Sequence, residues 1–347
     1  YCDGPNGEKG KWTHVPSKRV MGEDFDPLSL PLEQRREYSY EGPEIIYTFW
    51  AKHGPCQVTG CGHRTPIMTN PVVAVKTLIV KHWEQTCSKC GNVFHVEENA
   101  ARMAPDVPLY ISPDEYPHSM LNPKRGVVCP HCGHAAMVKL GKGKNKKVEL
   151  SLLVHPQWLA GCPKNDADGE PFGGSAQDDA RSTVKWNLER AKTVRLLEVR
   201  GRLPTTVKCP VTGDTFYTDA RGGTAAVKDK VNKQTKKVEV DDTGNTTKVA
   251  EQSTFACRAD GARNNVLTAV KATKKTGPMA GYAAQGFSQK LKTNGASYNG
   301  RFFMPFGIDL ARQYNAAILE WESRKDSDLA EYWPREDPVS RLRGVQL

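Results

Sequence analysis

Cys87-Ser88-Lys89-Cys90-Gly91 and Cys129-Pro130-His131-Cys132-Gly133 are the two stretches on which the reading of this chain turns. In a Cys-x2-Cys turn both sulfurs point at one place, and the backbone amides turn toward them. The glycine after the second cysteine takes the left-handed backbone that closes the turn. Two such turns supply four thiolates. That fills a tetrahedral shell with Zn–S near ~2.3 Å and leaves no position for water. The expectation is one structural, non-catalytic zinc ion (Zn2+) on Cys87, Cys90, Cys129 and Cys132. The 38 residues between the turns exceed ordinary zinc-ribbon spacing, but loop-closure cost grows only slowly with length. The competing reading is buried free thiols or a redox pair.

Three weaker stretches flank this pair. Cys56-Gln57-Val58-Thr59-Gly60-Cys61-Gly62 is a looser Cys-x4-Cys turn. Cys209-Pro210-Val211-Thr212-Gly213 and Cys257-Arg258-Ala259-Asp260-Gly261 have the knuckle pattern without its second cysteine. Threonine does not ligate zinc, whereas aspartate does. Cys56, Cys61 and Cys257, completed by Asp260 or Cys209, are therefore the candidates for an outer metal site. The alternative is a remnant whose cysteines pack as small apolar groups. His63, His95, His131 and His134 lie beside the turns as surface or supporting groups. Cys2 and Cys162 stand alone, with no metal role expected.

The rest of the composition agrees with metal-binding thiols. Ten cysteines at uneven spacing in 347 residues are not a secreted disulfide framework. Paired thiols of this kind belong to a reducing compartment, and the expected location is cytoplasmic. Lys and Arg number 49 against 39 Asp and Glu, a formal charge of +10. Such an excess favours polyanions, with DNA the foremost partner; a merely solvated basic surface is the bland alternative. No apolar run of about 18 residues exists, and no membrane partner is expected. The chain opens on Tyr1 rather than Met, which points to a trimmed or partial product.

Patterning along the chain predicts an α+β fold, with zinc-ribbon strands and two principal helices. Residues 1–43 read as an extended lead-in, and residues 44–150 as the zinc-ribbon region. Within the latter, Ile45 to Trp50 and Val72 to Val80 read as strands. Residues 99–128, rich in proline, read as a long loop. Residues 141–147 read as a basic turn whose Lys142, Lys144, Lys146 and Lys147 are the candidate phosphate contacts; a solvated turn is the alternative. Residues 151–205 read as a helical connector, with one helix over 176–200 carrying Ala180, Val184, Leu188 and Ala191 at helical spacing. Residues 206–305 read as a second, degenerate ribbon-like region, with 219–250 as a solvated hairpin or mobile loop. Residues 306–347 hold the second helix, over 307–331.

No catalytic constellation is found. There is no P-loop, zincin helix or nucleophile elbow. Pro171-Phe172-Gly173-Gly174-Ser175-Ala176 has the look of a cofactor loop, but Asp178 and Asp179 follow it in the predicted first helical turn and would repel a phosphate.

Several motifs in order carry a family resemblance. Tyr47-Thr48-Phe49-Trp50-Ala51-Lys52 leads into Cys56 and Cys61, then Thr65-Pro66-Ile67. Trp186 and Leu197-Glu198-Val199-Arg200-Gly201 follow, then Phe255-Ala256-Cys257, Tyr298-Asn299-Gly300-Arg301-Phe302-Phe303 and Trp333-Pro334-Arg335. This series resembles the prokaryotic adenine-specific DNA methylases that contain a Zn-ribbon, across most of the chain after residue 44. The resemblance implies methyl transfer from S-adenosylmethionine to the exocyclic nitrogen of adenine in DNA. It also implies a cofactor loop upstream and an (Asp/Asn)-Pro-Pro-(Tyr/Phe) motif downstream; this chain has no Pro-Pro pair. The chain is then expected to be a central insertion between the halves of an α/β methyltransferase fold, partnered by those halves. S-adenosylmethionine would belong to the full-length enzyme only. A free-standing zinc-ribbon nucleic-acid-binding module is the other reading.

Overall fold

The longest strand, Val72–Thr86, begins in the β-branched run Val72-Val73-Ala74-Val75 and is the axis on which the larger sheet is built. In the computed structural model, which describes residues 2–98, 101–121, 126–170, 180–240, 244–271, 279–293 and 298–332, this strand pairs antiparallel with Lys144–Val154 and with Val93–Glu97. The sheet has six strands in the order Leu109–Ile111, Leu196–Arg200, Lys144–Val154, Val72–Thr86, Val93–Glu97 and His118–Met120. Only its two outermost pairings are parallel. A second sheet of four antiparallel strands runs Arg301–Pro305, Met279–Phe287, Glu44–Pro55, Arg64–Pro66. The fold is mixed α and β, and rich in β-structure.

The main core lies between these sheets. Val148, Leu150, Leu152 and Val154 point one way into it, meeting Val80, Trp158, Trp186 and Phe303. Leu153 points the other way, toward Leu197, Val199, Val207 and Phe216. A strand covered on both faces loses the polar–apolar alternation of a half-exposed one, and the last five residues of Lys144–Val154 are all buried. Helix Ala180–Lys192 packs on helix Ile308–Tyr332. There the Asn187 side chain donates to Asn315 Oδ1 at 3.1 Å and Asn315 donates to the Val184 carbonyl at 3.0 Å. Trp186 on the same helix donates to the Met279 carbonyl, tying it to the four-stranded sheet.

Four local expectations change. Helix 176–200 is shorter: it ends at Lys192, and Leu196–Arg200 is a strand. Its residues alternate, Leu197 and Val199 toward one apolar cluster and Glu198 and Arg200 toward the other face. The long loop of 99–128 is interrupted by the short strands Leu109–Ile111, His118–Met120 and Val127–Val128, and its start is drawn inward, with Ala101, Met103 and Ala104 buried in the main core. Glu198 holds it there, accepting from Arg102 Nε at 2.7 Å and from the Met103 and Ala104 amides at 2.6 and 3.3 Å. Residues 11–41 are no bare lead-in. They form a three-stranded sheet, with Trp12 against Tyr40 and Phe25 against Tyr38 at ring separations of 5.1 and 4.7 Å. The basic turn of 141–147 belongs mostly to a strand, which starts at Lys144. Residues 227–250 do form a hairpin, Val227–Asp229 with Lys248–Ala250. Pro171 to Ala176, Asp178, Asp179 and Trp333 to Arg335 lie outside the described residues. Among the described residues no helix is long and apolar enough to cross a membrane.

Candidate metal centres

Each knuckle sits at the tip of a short hairpin and has one backbone pattern. The Cys87 amide donates to the Asn92 carbonyl and the Gly91 amide to the Cys87 carbonyl, both at 2.9 Å. The same two bonds recur at Cys129 with His134 and Gly133, at Cys209 with Asp214 and Gly213, and at Cys257 with Ala262 and Gly261. The glycine that closes each turn has φ of 71°, 70°, 77° and 73° in Gly91, Gly133, Gly213 and Gly261. A side chain there would be strained.

The inner group joins two of these tips. Strands Val72–Thr86 and Val93–Glu97 carry Cys87 and Cys90, and the hairpin Val127–Val128 with Ala135–Ala136 carries Cys129 and Cys132. All four sulfurs lie within 4.8 Å of one another. Cys87 and Cys132 are 3.6 Å apart, and Cys90 and Cys129 are 3.7 Å apart. A tetrahedral zinc with ~2.3 Å bonds sets its sulfurs about 3.8 Å apart, so the geometry and donor set fit that ion. The Cys90 backbone N–H, acting against burial and aided by the Lys89 N–H, pulls the Cys87 thiol down to about 6. At Cys132 the His134 N–H is outweighed by burial and the neighbouring thiols, which push that thiol up to about 12, so the four share their protons unevenly until a metal replaces them. Thiolate is the form a metal binds. Phe94, Val96 and Val127 form one buried cluster with Cys87 and Cys129, and the half-buried Trp83 and Leu140 pack against it.

The outer group joins residues far apart in sequence. Cys56 follows strand Glu44–Pro55, Cys61 precedes strand Arg64–Pro66, and Cys257 and Asp260 form the tip of hairpin Thr254–Ala256 with Arg263–Asn265. Their ligand atoms also lie within 4.8 Å of one another. Cys61 and Cys257 are 3.9 Å apart, and the Cys56 thiol donates to Asp260 Oδ2 at 3.4 Å. The Ala262 N–H and then the Cys61 thiol hold the Asp260 carboxyl down at about 2, so it is anionic. Asn264 completes the clamp: its Oδ1 accepts from the Gln57 amide at 2.7 Å, and its Nδ2 reaches Cys56 Sγ at 3.7 Å. Beneath lies Phe255, fully buried, against Gly54; a Cβ on Gly54 would meet that ring at 2.5 Å.

Of the two candidates for the fourth outer ligand, the structure brings Asp260 and leaves Cys209 elsewhere. Cys209 packs with Leu153, Leu197 and Phe216. Its knuckle faces His155 instead of a second knuckle. His155 Nδ1 accepts from the Gln157 amide at 3.2 Å, so the neutral ring carries its proton on Nε2 and donates it to Thr212 Oγ1 at 3.1 Å. A hydrogen bond stands where a paired knuckle would hold a metal. Cys2 and Cys162 are buried in apolar clusters, and burial raises both thiols to about 11. His63, His95, His131 and His134 belong to neither ligand group.

The four candidate lysines divide. Lys142, Lys144 and Lys147 are exposed. Strand alternation puts Lys144 on the face of its cross-strand partner His82, and Lys147 on the opposite face beside Ile79. The Lys146 ammonium pairs with Glu115 and lies 5.7 Å above the Tyr116 ring. Sequence reasoning missed Asn264, His155 and Glu198. Only Glu198 left a trace, a charge inside the apolar run Leu196-Leu197-Glu198-Val199. Comparison of the chain with protein-family models, curated proteins and solved structures finds no match in any of the three.

Proposed function

We propose that the chain is a zinc-stapled DNA-positioning module, the central region of an S-adenosylmethionine-dependent DNA adenine methyltransferase. The observation that carries the zinc is the convergence of Cys87, Cys90, Cys129 and Cys132 from two separate hairpin tips. Four thiolates round one ion would staple the two tips together above the buried cluster of Phe94, Val96 and Val127. In this reading the paired tips form a zinc ribbon, and the Cys56, Cys61, Cys257 and Asp260 group is a second zinc staple. The role is structural, because four protein ligands leave the ion no open position for substrate.

DNA positioning is supported by the net charge of +10 and the exposure of Lys142, Lys144 and Lys147. Contacts of this kind fix register on the backbone and carry no base information. The methyltransferase assignment rests on the ordered residue motifs from Tyr47 onward. Two experiments test the reading. Binding of the whole chain to duplex DNA should fall with salt, by about 0.9 in logarithmic slope per phosphate neutralised; salt-independent binding removes the DNA role. The chain joined to its flanking coding sequence should transfer methyl groups from S-adenosylmethionine to adenine in DNA. An in-frame product that binds DNA and zinc but transfers no methyl group identifies a free-standing binding module instead.

A further inference from the structure

The two metal groups differ in one donor, and that difference has a consequence. The inner group closes with four thiolates, the outer with three thiolates and the carboxylate of Asp260. On the reading that both groups bind zinc, we infer that the outer group is an exchangeable metal site, loading and unloading with divalent metal supply, while the inner group keeps its ion. Oxygen is a harder donor than sulfur, and zinc in sulfur-rich sites is held chiefly by its thiolates.

Asp260 is also the ligand best placed to leave. It is exposed, and its Oδ1 already accepts from the Ala262 amide at 2.8 Å. Rotated off the ion, the carboxylate keeps water and that amide as partners, so no charge is stranded in the interior. In the inner group the exposed ligands Cys90 and Cys132 are themselves thiolates, the stronger donors for zinc, and departure of Cys87 or Cys129 would expose a sulfur packed against Phe94, Val96 and Val127. The structural result of exchange is localised. Cys56 and Asp260 are 204 positions apart in sequence. Loss of the ion between them leaves hairpin Thr254–Ala256 with Arg263–Asn265, three residue pairs long, held by Phe255, by Asn264, by the Ala256 amide on the Thr224 carbonyl and by Arg258 on the Gly223 carbonyl and Thr65. The outer ion thus ties this hairpin to the end of strand Glu44–Pro55, and metal supply sets how firmly.

The test uses the zinc-loaded full chain and a large excess of a chromogenic chelator, which takes up the released zinc and reports it. Two equal phases are expected, the faster by at least about tenfold, a gap set by one weaker donor. Cys257→Ser should remove the fast phase and leave the slow one intact. Asp260→Cys, which restores the Cys-x2-Cys pattern, should slow the fast phase toward the other. Hydrogen exchange during the fast phase should rise in residues 254–265 and not in 127–136. Release of both ions in one phase overturns the inference while leaving two zinc sites standing. So does a fast phase that survives Cys257→Ser. A chain that binds one ion whether or not Cys257 is replaced overturns the second zinc site itself.

Discussion

Cys132→Ser isolates the contribution of the inner metal from that of packing. Cys132 is exposed, and serine differs from it by one atom, so no buried contact is lost with the sulfur. What is lost is one of four ligands. Zinc in small structural modules supplies about 10–16 kcal/mol of apparent binding free energy at neutral pH, more than many whole domains have in reserve. Removing a thiolate forfeits a large part of that. The hairpin bearing Cys129 and Cys132 has only two residue pairs, Val127 with Ala136 and Val128 with Ala135. An isolated hairpin of any length is marginal in water. The two segments beside the site should therefore unfold locally while the six-stranded sheet, anchored by Leu150, Leu152 and Trp158, stays folded. Metal analysis should show zinc falling by about one ion per chain. Hydrogen exchange should show lost protection in 87–92 and 127–136 alone, with strand Val93–Glu97 still protected. Cys162→Ser is the control: it is buried in the main core outside either ligand group, and should lower stability with metal content unchanged. Full zinc content and unaltered protection in Cys132→Ser would refute the inner site.

Glu198→Gln should destabilise the chain by about 3–5 kcal/mol, as expected when one partner of a buried ion pair is removed; denaturant unfolding measures it, and a loss below 1 kcal/mol would mean Arg102 and the Met103 amide find other acceptors. His53 is fully buried, and desolvation first, then the nearby Arg190, drives its pKa well below 6.5. The folded ring is neutral while the unfolded one takes a proton, so its contribution is present above about 6.5 and drains as pH falls toward the lowered folded value. His53→Leu should therefore flatten the fall of melting temperature with pH below about 6.5; an unchanged pH profile would mean another group carries it. Changing Lys142, Lys144 and Lys147 together to Gln should reduce the salt slope of DNA binding by up to about 2.7 and weaken all sequences alike. Changing Lys146 alone should instead disturb the Glu115 pair and leave the slope as it was. Gly54→Ala should push Phe255 aside and speed zinc loss from the outer group, read in the same chelator assay.

The inner ligands were legible from sequence because a knuckle is a local object. Six consecutive residues and one left-handed glycine place two sulfurs, and Cys87, Cys90, Cys129 and Cys132 converge as their spacing implies. The strand from Val72 and the helix from Ile308 are local in the same sense, each written in a continuous apolar pattern. Which knuckle meets which is not local. Cys209 and Asp260 were equal candidates for the outer group, and only the docking of hairpin 254–265 against the end of strand Glu44–Pro55 separates them. Leu196–Arg200 continues a helical spacing that begins at Ala180, yet it is a strand. Its Leu197 and Val199 fill one apolar cluster, while Glu198 and Arg200 on the other face pair with Arg102 and Glu97. A charge run reads the same wherever its side chains point; Lys144 and Lys146 share a strand face, and only the packing of Glu115 against it pairs Lys146 while Lys144 and Lys147 stay exposed. Backbone propensity and turn chemistry act over a few residues and are carried by the sequence itself. Partners for buried charges and for half-filled metal shells come from segments far off in sequence, 96 residues for Glu198 and Arg102 and 204 for Cys56 and Asp260, and only the packed chain selects them.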